Sequence, residues 1–118
     1  MNYSALQLFL DGLRAPIEAY MLADFVQLHP EDRVIEVGCG TGFICFTIGV
    51  TYPRIQSIVG IDVQSDHIHS AQQNLEMLKQ GFSNRCAPIQ FFTEDATQTK
   101  TIGSFDVIIS NPPFYPSK

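Results

Sequence analysis

The sequence lacks several features that would point directly to a class of protein. Its three cysteines are odd in number and form no C-x-x-C pair, which argues against a disulfide framework or a zinc site. No apolar run approaches membrane-spanning length, and the N-terminus lacks the basic start and the cleavage site of a signal peptide. We therefore expect reduced thiols in a cytoplasmic protein that has no membrane segment.

Positive charge is also scarce. Seven lysines and arginines face twelve acidic residues, the net charge is −5, and the basic residues form no cluster. This composition argues against the chain holding nucleic acid by itself, because phosphate binding needs basic surface. A nucleic-acid substrate stays open, since the basic surface could belong to another segment or to a partner.

No repeat, low-complexity tract or linker divides the chain, which predicts a single domain over residues 1–118. Apolar runs typical of strands lie at 33–37, 57–61, 88–93 and 105–110. One helical pattern precedes the first strand, beginning near Pro16 and ending near Pro30. Two more lie between the following strands, one from near Thr41 to near Tyr52 and the other from near Ser65 to near Gly81. Strands that alternate with helices predict an α/β fold, a parallel sheet with helices on both faces.

Two elements carry specific apolar patterns. In the helix near Pro16, apolar residues recur at three- and four-residue steps, which predicts one apolar face made of Ile17, Tyr20, Met21, Phe25 and Leu28. The run 105–109 is apolar apart from Asp106 and has the look of a strand buried on both faces in the middle of a sheet. If the sheet ended at this strand, an apolar edge would stay uncovered and would favour self-association.

A glycine loop follows the first strand. Gly38, Gly40 and Gly42 form a G-x-G-x-G pattern, one residue shorter than the G-x-G-x-x-G of dinucleotide-binding proteins. Glycines let the backbone turn sharply and approach a ligand, and the N–H groups of a following helix can face that ligand. A tight turn without a ligand is the simpler interpretation of such a loop, but the strand before it and the helix after it favour a binding site. Cys39 is interpreted as a small filler rather than as a reactive thiol.

Three carboxylates stand at the ends of predicted strands. Glu36 lies among apolar neighbours, where a buried charge needs a partner, either the N–H groups of the loop or a cationic ligand. Asp62 ends the second strand twenty residues after Gly42, a position from which it can accept both ribose hydroxyls of a nucleoside. An aspartate that caps a helix or a turn is the simpler interpretation in isolation, but the glycine loop before it favours ribose binding. Asp95 follows the third strand, where it could bind the amino group of adenine or simply be a solvated acid of a loop.

The fourth strand leads into Asn111-Pro112-Pro113-Phe114. Two prolines fix the backbone and remove donors, so the Asn111 side chain and the Pro112 carbonyl could both accept from one planar NH₂ group. Such a grip would hold the nitrogen for attack on an electrophilic methyl group, with Phe114 stacked on a flat substrate. A rigid loop with a buried aromatic ring is the structural alternative.

Other catalytic patterns are missing. His29, His67 and His69 have no metal-ligand spacing and join no acid–cysteine cluster, so we assign them no chemistry and expect no metal. Neither a Ser-His-Asp pattern nor a P-loop is present.

These residues resemble the S-adenosylmethionine-dependent class I methyltransferases, in the branch that carries an N-P-P-F/Y motif. The branch methylates planar nitrogens, namely the exocyclic amine of adenine in DNA or RNA or a glutamine amide in release factors. The chain is similar in particular to the group that modifies an adenine in valine tRNA, through the helical segment 16–25 before the E-x-G-x-G-x-G strand and through the closing run 107–114. The resemblance covers the chain from about Leu10 on.

The resemblance implies S-adenosylmethionine as cofactor and a role for each motif. Glu36 and the three glycines would hold its methionine end, Asp62 its ribose and Asp95 its adenine. The whole set expected to bind the cofactor is Glu36, Gly38, Cys39, Gly40, Gly42, Asp62, Val63, Asp95, Ala96 and Asn111. The catalytic set expected to hold the target nitrogen is Asn111, Pro112, Pro113 and Phe114.

The fold that the resemblance implies is a Rossmann-like methyltransferase domain with strand order 3-2-1-4. Relatives continue with further strands and helices, so we expect the N-terminal part of the domain, truncated after its fourth strand. The expected function is methyl transfer to a planar amino nitrogen, with adenine in tRNA or other nucleic acid favoured as substrate. The alternatives are methylation of a protein glutamine amide, a non-catalytic cofactor-binding remnant, and an NAD-dependent oxidoreductase, which the glycine spacing and the N-P-P loop disfavour.

Overall fold

The computed structural model describes residues 3–13, 15–82, 85–97 and 103–110. Within them the helices are α1 (Tyr3–Gly12), α2 (Ile17–Phe25), α3 (Phe43–Thr51) and α4 (Ser65–Phe82). The strands are β1 (Arg33–Val37), β2 (Ser57–Asp62), β3 (Ile89–Thr93) and β4 (Val107–Ser110). In the part of the chain that is described, no helix is long and apolar enough to cross a membrane.

The four strands form one parallel sheet in the order β3-β2-β1-β4, as predicted. The register places Glu36 of β1 beside Gly60 of β2 and Ile109 of β4, and Gly60 beside Phe91 of β3. Since side chains alternate along a strand, these four residues share one face of the sheet. All four carboxyl ends lie at the same edge, where the loops after the strands meet.

Each face of the sheet carries an apolar cluster. The larger cluster joins Val34, Ile58 and Ile109 of the sheet to side chains from all four described helices. The smaller one consists of Ile35, Val59 and Ile61, with Val37 and Phe105 packed against it. The connection that would cover the second face includes residues 98–102, outside the described ranges, so helices on that face stay a prediction.

The apolar face predicted for α2 is buried only in part. Ile17, Met21 and Phe25 are 65–82% exposed. The helix turns its other side to the core: Ala19 is buried, and the ring of Tyr20 lies 4.5 Å from that of Phe43. Periodicity shows that a helix has an apolar stripe, but several apolar residues of α2 lie outside that stripe, and the packing of α3 decides which side is buried.

The helix ends also differ from the predicted ones. α2 ends at Phe25, before His29-Pro30, so Leu28 is buried from the loop beyond it. Pro16 is the N-cap of α2 rather than its first residue, and Ser65 is the first residue of α4 rather than its cap. Shifts of one or two residues at a helix end are ordinary, but the loss of Leu28 from the helix removes one turn.

The fourth strand is buried on one face and exposed on the other, as expected for an apolar strand at the end of the described sheet. Ile109 is buried in the larger cluster, whereas Ile108 is 70% exposed. Among the described strands, β4 pairs with β1 alone and therefore lies at an edge of the sheet. Asp106, just before β4, accepts from the backbone N–H of Arg33 at 2.8 Å and ties this edge to the start of β1.

Candidate functional site

A cleft of about 960 Å³ opens at the carboxyl ends of the strands. Its floor is the glycine loop after β1, and its sides come from the ends of β2 and β4, the loop after β3, the first turn of α4 and the segment between α1 and α2. The residues that line it include Leu13, Pro16, Glu18, Glu36, Gly38, Cys39, Gly40, Thr41, Phe43, Asp62, Val63, His67, Glu94, Asp95, Ala96 and Ser110. Parallel α/β sheets bind ligands at this edge.

The glycine loop uses backbone conformations that favour glycine. Gly38, Gly40 and Gly42 have φ angles of 77°, 56° and 105°. At Gly42 a Cβ would also meet the ring of Phe46 at 2.6 Å, whereas at Gly40 it would enter open space. Gly42 is therefore needed for packing against Phe46 and for the start of α3, of which it is the N-cap. Gly40 has no side chain and so leaves the space above it in the cleft open.

The loop is held mainly by its neighbour β2. The backbone N–H groups of Gly38 and Cys39 both donate to the carbonyl of Ile61, at 2.9 and 3.0 Å. From the other side, the Asn74 side chain of α4 donates to the carbonyl of Thr41 at 3.1 Å. The loop is thus pinned by the sheet and by a helix before any ligand arrives, which lowers the entropy that binding must remove.

Asp62 connects the glycine loop to the start of α4. Its Oδ2 accepts from the backbone N–H of Gly40 and its Oδ1 from that of Gln64, both at 2.9 Å. A carboxylate can accept about four hydrogen bonds, so these two leave capacity for a ligand. His67 lies beside it, with Nδ1 3.5 Å from Oδ2. That nitrogen is buried and has no hydrogen-bond partner among the described residues.

Glu36 is the most deeply buried acid of the cleft, with 2% of its surface exposed. Burial raises its pKa to about 7, and the neighbouring charge of Asp62 acts in the same direction. The thiol of Cys45 opposes this shift by donating to Oε1 at 3.1 Å. The loop N–H groups described above bond to other acceptors, so the described contacts do not support a role for Glu36 in steadying the loop.

The lining of the cleft is acidic. Glu18, Glu36, Asp62, Glu94 and Asp95 line it, and none of its described lining residues is a lysine or an arginine. Such a set of side chains attracts a cation and repels a polyanion, because the charges act across a partly desolvated space. The geometry therefore suits a compact, positively charged organic ligand.

The loop after β3 contributes Asp95 and Ala96 to the cleft. Oδ1 of Asp95 accepts from both the backbone N–H and the hydroxyl of Thr97, at 2.9 and 2.7 Å. These bonds lower the pKa of Asp95 and keep it ionised. The two bonds, which are both made to Oδ1, hold the backbone after Asp95 in a turn.

Cys39 behaves as the filler that its sequence position indicates. It is buried, and burial together with the charge of Glu36 raises the pKa of its thiol far above the usual value. A thiol in that state is a poor nucleophile at neutral pH. It nevertheless lines the cleft, as expected for a residue of the loop.

The structure brings most of the predicted cofactor residues together. Eight of the ten line the cleft: Glu36, Gly38, Cys39, Gly40, Asp62, Val63, Asp95 and Ala96. Gly42 does not line it and acts behind the loop. Asn111, and with it Pro112, Pro113 and Phe114, lies outside the described residues, but Ser110, which precedes Asn111 in sequence, lines the cleft.

Sequence reasoning missed four residues of this site. His67, Glu18, Asn74 and Cys45 line the cleft or hold residues that do. For His67 a weak signal existed, since the first turn of a helix that follows a ligand-binding strand faces the same edge of the sheet. The contacts of Asn74 and Cys45 join residues of different elements, and nothing in the local pattern indicates them.

Two curated relatives show the same sequence pattern over most of this chain. The tRNA1(Val) (adenine(37)-N6)-methyltransferase of Parabacteroides distasonis is 32% identical over 88% of this chain and 42% of its own length. The rRNA N(6)-adenosine-methyltransferase metl-5 of Caenorhabditis elegans is 29% identical over 70% of this chain and 37% of its own length. The chain thus spans less than half the length of these relatives.

The fold is also found among solved structures. An S-adenosylmethionine-dependent methyltransferase from Geobacter sulfurreducens, in complex with S-adenosyl-L-homocysteine, superposes with a TM-score of 0.60. It is 24% identical, and the match covers 81% of this chain and 36% of that one. This likeness establishes the Rossmann-like methyltransferase fold.

The family model described as the methyltransferase small domain matches residues 17–118, which is most of the chain. Those residues contain β1 with its glycine loop, most of the residues that line the cleft, and the N-P-P-F run. The chain therefore belongs to the methyltransferase small domain family, whose cofactor is S-adenosylmethionine.

Proposed function

We propose that this chain is the cofactor-binding part of an S-adenosylmethionine-dependent methyltransferase that acts on a planar amino nitrogen, with the exocyclic amine of adenine in tRNA or other nucleic acid as the favoured substrate. The observation that carries the proposal is the acidic cleft at the carboxyl ends of the strands, floored by the glycine loop. Its residues fit a cofactor that carries a sulfonium and an ammonium group. When bound, this cofactor supplies an electrophilic methyl group.

The cofactor contacts that we propose follow from the lining of the cleft. Glu36 faces the cationic end, Gly38 and Gly40 let the backbone approach, and Asp62 uses its remaining lone pairs for the ribose hydroxyls. Asp95 and Ala96 are assigned to the adenine, and Val63 and Cys39 to the apolar walls. A dinucleotide is disfavoured, since its pyrophosphate would lie against five acidic residues.

The acceptor side is assigned to Asn111, Pro112, Pro113 and Phe114. Ser110 ends β4 in the wall of the cleft, and this adjacency in sequence supports an acceptor site beside the cofactor. The Asn111 side-chain oxygen and the Pro112 carbonyl would each accept one hydrogen of the target NH₂, which favours the positive charge that grows on the nitrogen. Transfer would be direct and in line, without a covalent enzyme intermediate or a metal.

Two relatives favour a nucleic-acid substrate, since one is a tRNA adenine methyltransferase and the other an rRNA adenosine methyltransferase. The charge of −5 implies that most of the phosphate-binding surface would come from outside this chain. The N-P-P run is shared with the branch that methylates glutamine amides, so a protein glutamine is the second candidate. We further propose a cytoplasmic location, in keeping with the free thiols of Cys39, Cys45 and Cys86.

Two further interpretations make different predictions. A non-catalytic remnant would bind the cofactor without turnover, and an NAD-dependent oxidoreductase would bind NADH instead.

Self-association through the edge strand β4, with its exposed Ile108, is part of the proposal for this chain in isolation.

The test is a calorimetric titration of the purified chain with S-adenosylmethionine, with NADH titrated in parallel. Saturable binding of S-adenosylmethionine alone supports the proposal, and binding of NADH alone, or of neither ligand by the folded chain, contradicts it. Transfer of labelled methyl groups is then measured to tRNA and to an unmodified release factor. Labelling of tRNA supports a nucleic-acid substrate, labelling of the release factor supports a protein glutamine, and labelling of neither supports a non-catalytic remnant. Asn111→Ala is expected to abolish transfer, because it removes one acceptor for the target NH₂ group.

A further inference from the structure

The buried acid Glu36 has an unusual hydrogen-bond donor. Cys45 is fully buried in α3, and its Sγ–H donates to Glu36 Oε1 on β1 at 3.1 Å. The backbone of Cys45 acts on the same carboxylate in the same sense. Cys45 is thus the residue through which hydrogen bonding favours the ionised form of Glu36 in the described structure.

The other groups around Glu36 do not stabilise its charge. Asp62 of β2 and the Cys39 thiol of the loop face it, and Glu18 of α2 and Glu94 and Asp95 after β3 line the same cleft. His67 of α4 lies beside Asp62 rather than beside Glu36. Among these neighbours, none supplies the positive charge that a buried carboxylate needs.

The thiol is a dependable but weak donor. Complete burial and the charge of Glu36 raise the pKa of Cys45 well above its usual value, so the sulfur keeps its proton at neutral pH. A thiol donates more weakly than a hydroxyl or an N–H group. The effect of burial exceeds that of Cys45 and raises the pKa of Glu36 to about 7, so the protonated form of Glu36 is present in the free protein near neutral pH.

We propose that Cys45 is a positioning residue, whose thiol orients the Glu36 carboxylate and stabilises its charge so that it can receive the cationic end of the cofactor. The inference rests on the proposed function. It adds that binding is coupled to a proton: where Glu36 is protonated, its O–H bond must break and the proton must pass to the solvent before the cation binds. Near neutral pH, cofactor binding therefore releases a fraction of a proton, and affinity increases with pH up to the range where Glu36 is fully ionised.

The first test needs no cofactor. The pKa of Glu36 is measured by ¹³C NMR of labelled glutamate in the free chain, with the signal assigned through Glu36→Gln. Cys45→Ala is expected to raise this pKa by roughly one unit, since a hydrogen bond to a charged group is lost. Cys45→Ser, which keeps a donor, is expected to leave it at or below the wild-type value.

Cys86→Ala is the matched control, because Cys86 is a half-buried thiol whose sulfur lies close to Gly49, farther along α3. It is expected to leave the pKa of Glu36 unchanged. An equal pKa of Glu36 in wild type, Cys45→Ala and Cys86→Ala would overturn the inference. Thermal melts show whether Cys45→Ala folds. If it does not, Cys45→Ser decides the question: a pKa of Glu36 in Cys45→Ser that is higher than in wild type would also overturn the inference.

The second test is the pH dependence of S-adenosylmethionine binding, measured by calorimetry from pH 6 to 9 in two buffers with different heats of ionisation. Cys45→Ala is expected to bind about fivefold more weakly than wild type at pH 7 and within about twofold of it at pH 9, since a pKa raised by about one unit lowers the ionised fraction of Glu36 mainly near neutral pH. An equal loss at every pH would mean that Cys45 only fills space, and the inference would be wrong.

The two proposals fail in different ways. Binding of S-adenosylmethionine by wild type, with a Glu36 pKa that does not respond to Cys45→Ala, leaves the proposed function standing and removes this inference. Failure of the folded wild-type chain to bind the cofactor contradicts the proposed function, and the role of Cys45 in cofactor binding falls with it.

Discussion

The backbone N–H of Gly40 donates to Oδ2 of Asp62 at 2.9 Å, which joins the glycine loop after β1 to the acid that ends β2. The two residues are twenty-two positions apart, and both line the cleft. A residue that serves as a ligand and as a support for the loop has two effects when it is replaced. This double role decides how the variants of Asp62 should be interpreted.

Asp62→Ala is expected to abolish measurable binding of S-adenosylmethionine and also to destabilise the free chain by about 1–3 kcal/mol, because the N–H groups of Gly40 and Gln64 lose their acceptor. Asp62→Asn keeps one acceptor oxygen and should lose affinity with a smaller loss of stability. Calorimetry and urea denaturation measure the two effects. Asp66→Ala, an exposed acid in the first turn of α4, is the control. Affinity retained in Asp62→Ala would contradict the ribose assignment.

Gly40→Ala should reduce cofactor affinity by more than its loss of stability explains. Its φ of 56° costs an alanine about 1–2 kcal/mol, and the new Cβ enters open space at the cleft. Gly103→Ala is a matched control, since Gly103 also has a positive φ and open space around it but does not line the cleft. Both variants should lose similar stability in urea denaturation, and Gly40→Ala alone should lose affinity. Equal affinities would show that the cofactor does not approach Gly40.

Gly42→Ala is expected to destabilise the chain by about 2–4 kcal/mol. The cost combines a φ of 105° with a contact of 2.6 Å between the new Cβ and the buried ring of Phe46. Urea denaturation measures the change, with Gly12→Ala at the open end of α1 as a neutral reference. A loss below about 1 kcal/mol would mean that the Phe46 ring moves aside easily.

Glu36→Gln should stabilise the free chain at pH 8 by up to about 3 kcal/mol relative to wild type. Burial raises the pKa of Glu36 from 4.5 to about 7, so the folded wild-type chain loses stability as the pH rises from about 4.5 through 7. Below pH 4.5 the carboxyl is neutral in both the folded and the unfolded chain, and the two proteins should be equally stable. Denaturation between pH 4 and 8 checks this difference, and a difference that does not change with pH would refute it. The same variant is expected to bind S-adenosylmethionine more weakly.

Ile108→Lys should weaken self-association of this chain, because it places a charge on the exposed edge strand β4, where Ile108 is 70% exposed. Sedimentation velocity over a range of concentrations measures the association. Met77→Lys, at a comparably exposed apolar position on α4, should leave it unchanged. A wild-type chain that stays monomeric at high concentration would argue against association through β4.

Much of the fold and of the site could be predicted from the sequence. The glycine loop and the carboxylates at strand ends follow from local patterns, since an apolar β-branched run and a following glycine loop encode their conformation within a few residues, whereas the strand order followed from the family resemblance. In α2 and β4 the apolar pattern left open which residues are buried. An apolar helix and an apolar strand do not specify which of their faces a neighbour will cover.

The sequence by itself determined the parallel sheet and the edge at which its ligand residues gather, because helical crossovers between successive strands make the strands parallel, and parallel strands have their carboxyl ends at the same edge. Only the tertiary structure decided that Asp62 holds Gly40, that His67 lies beside Asp62 and that Cys45 donates to Glu36. These contacts join side chains from different elements. They depend on the distance and rotation between a helix and the sheet, which are set by packing across the whole core and not by any local run of residues.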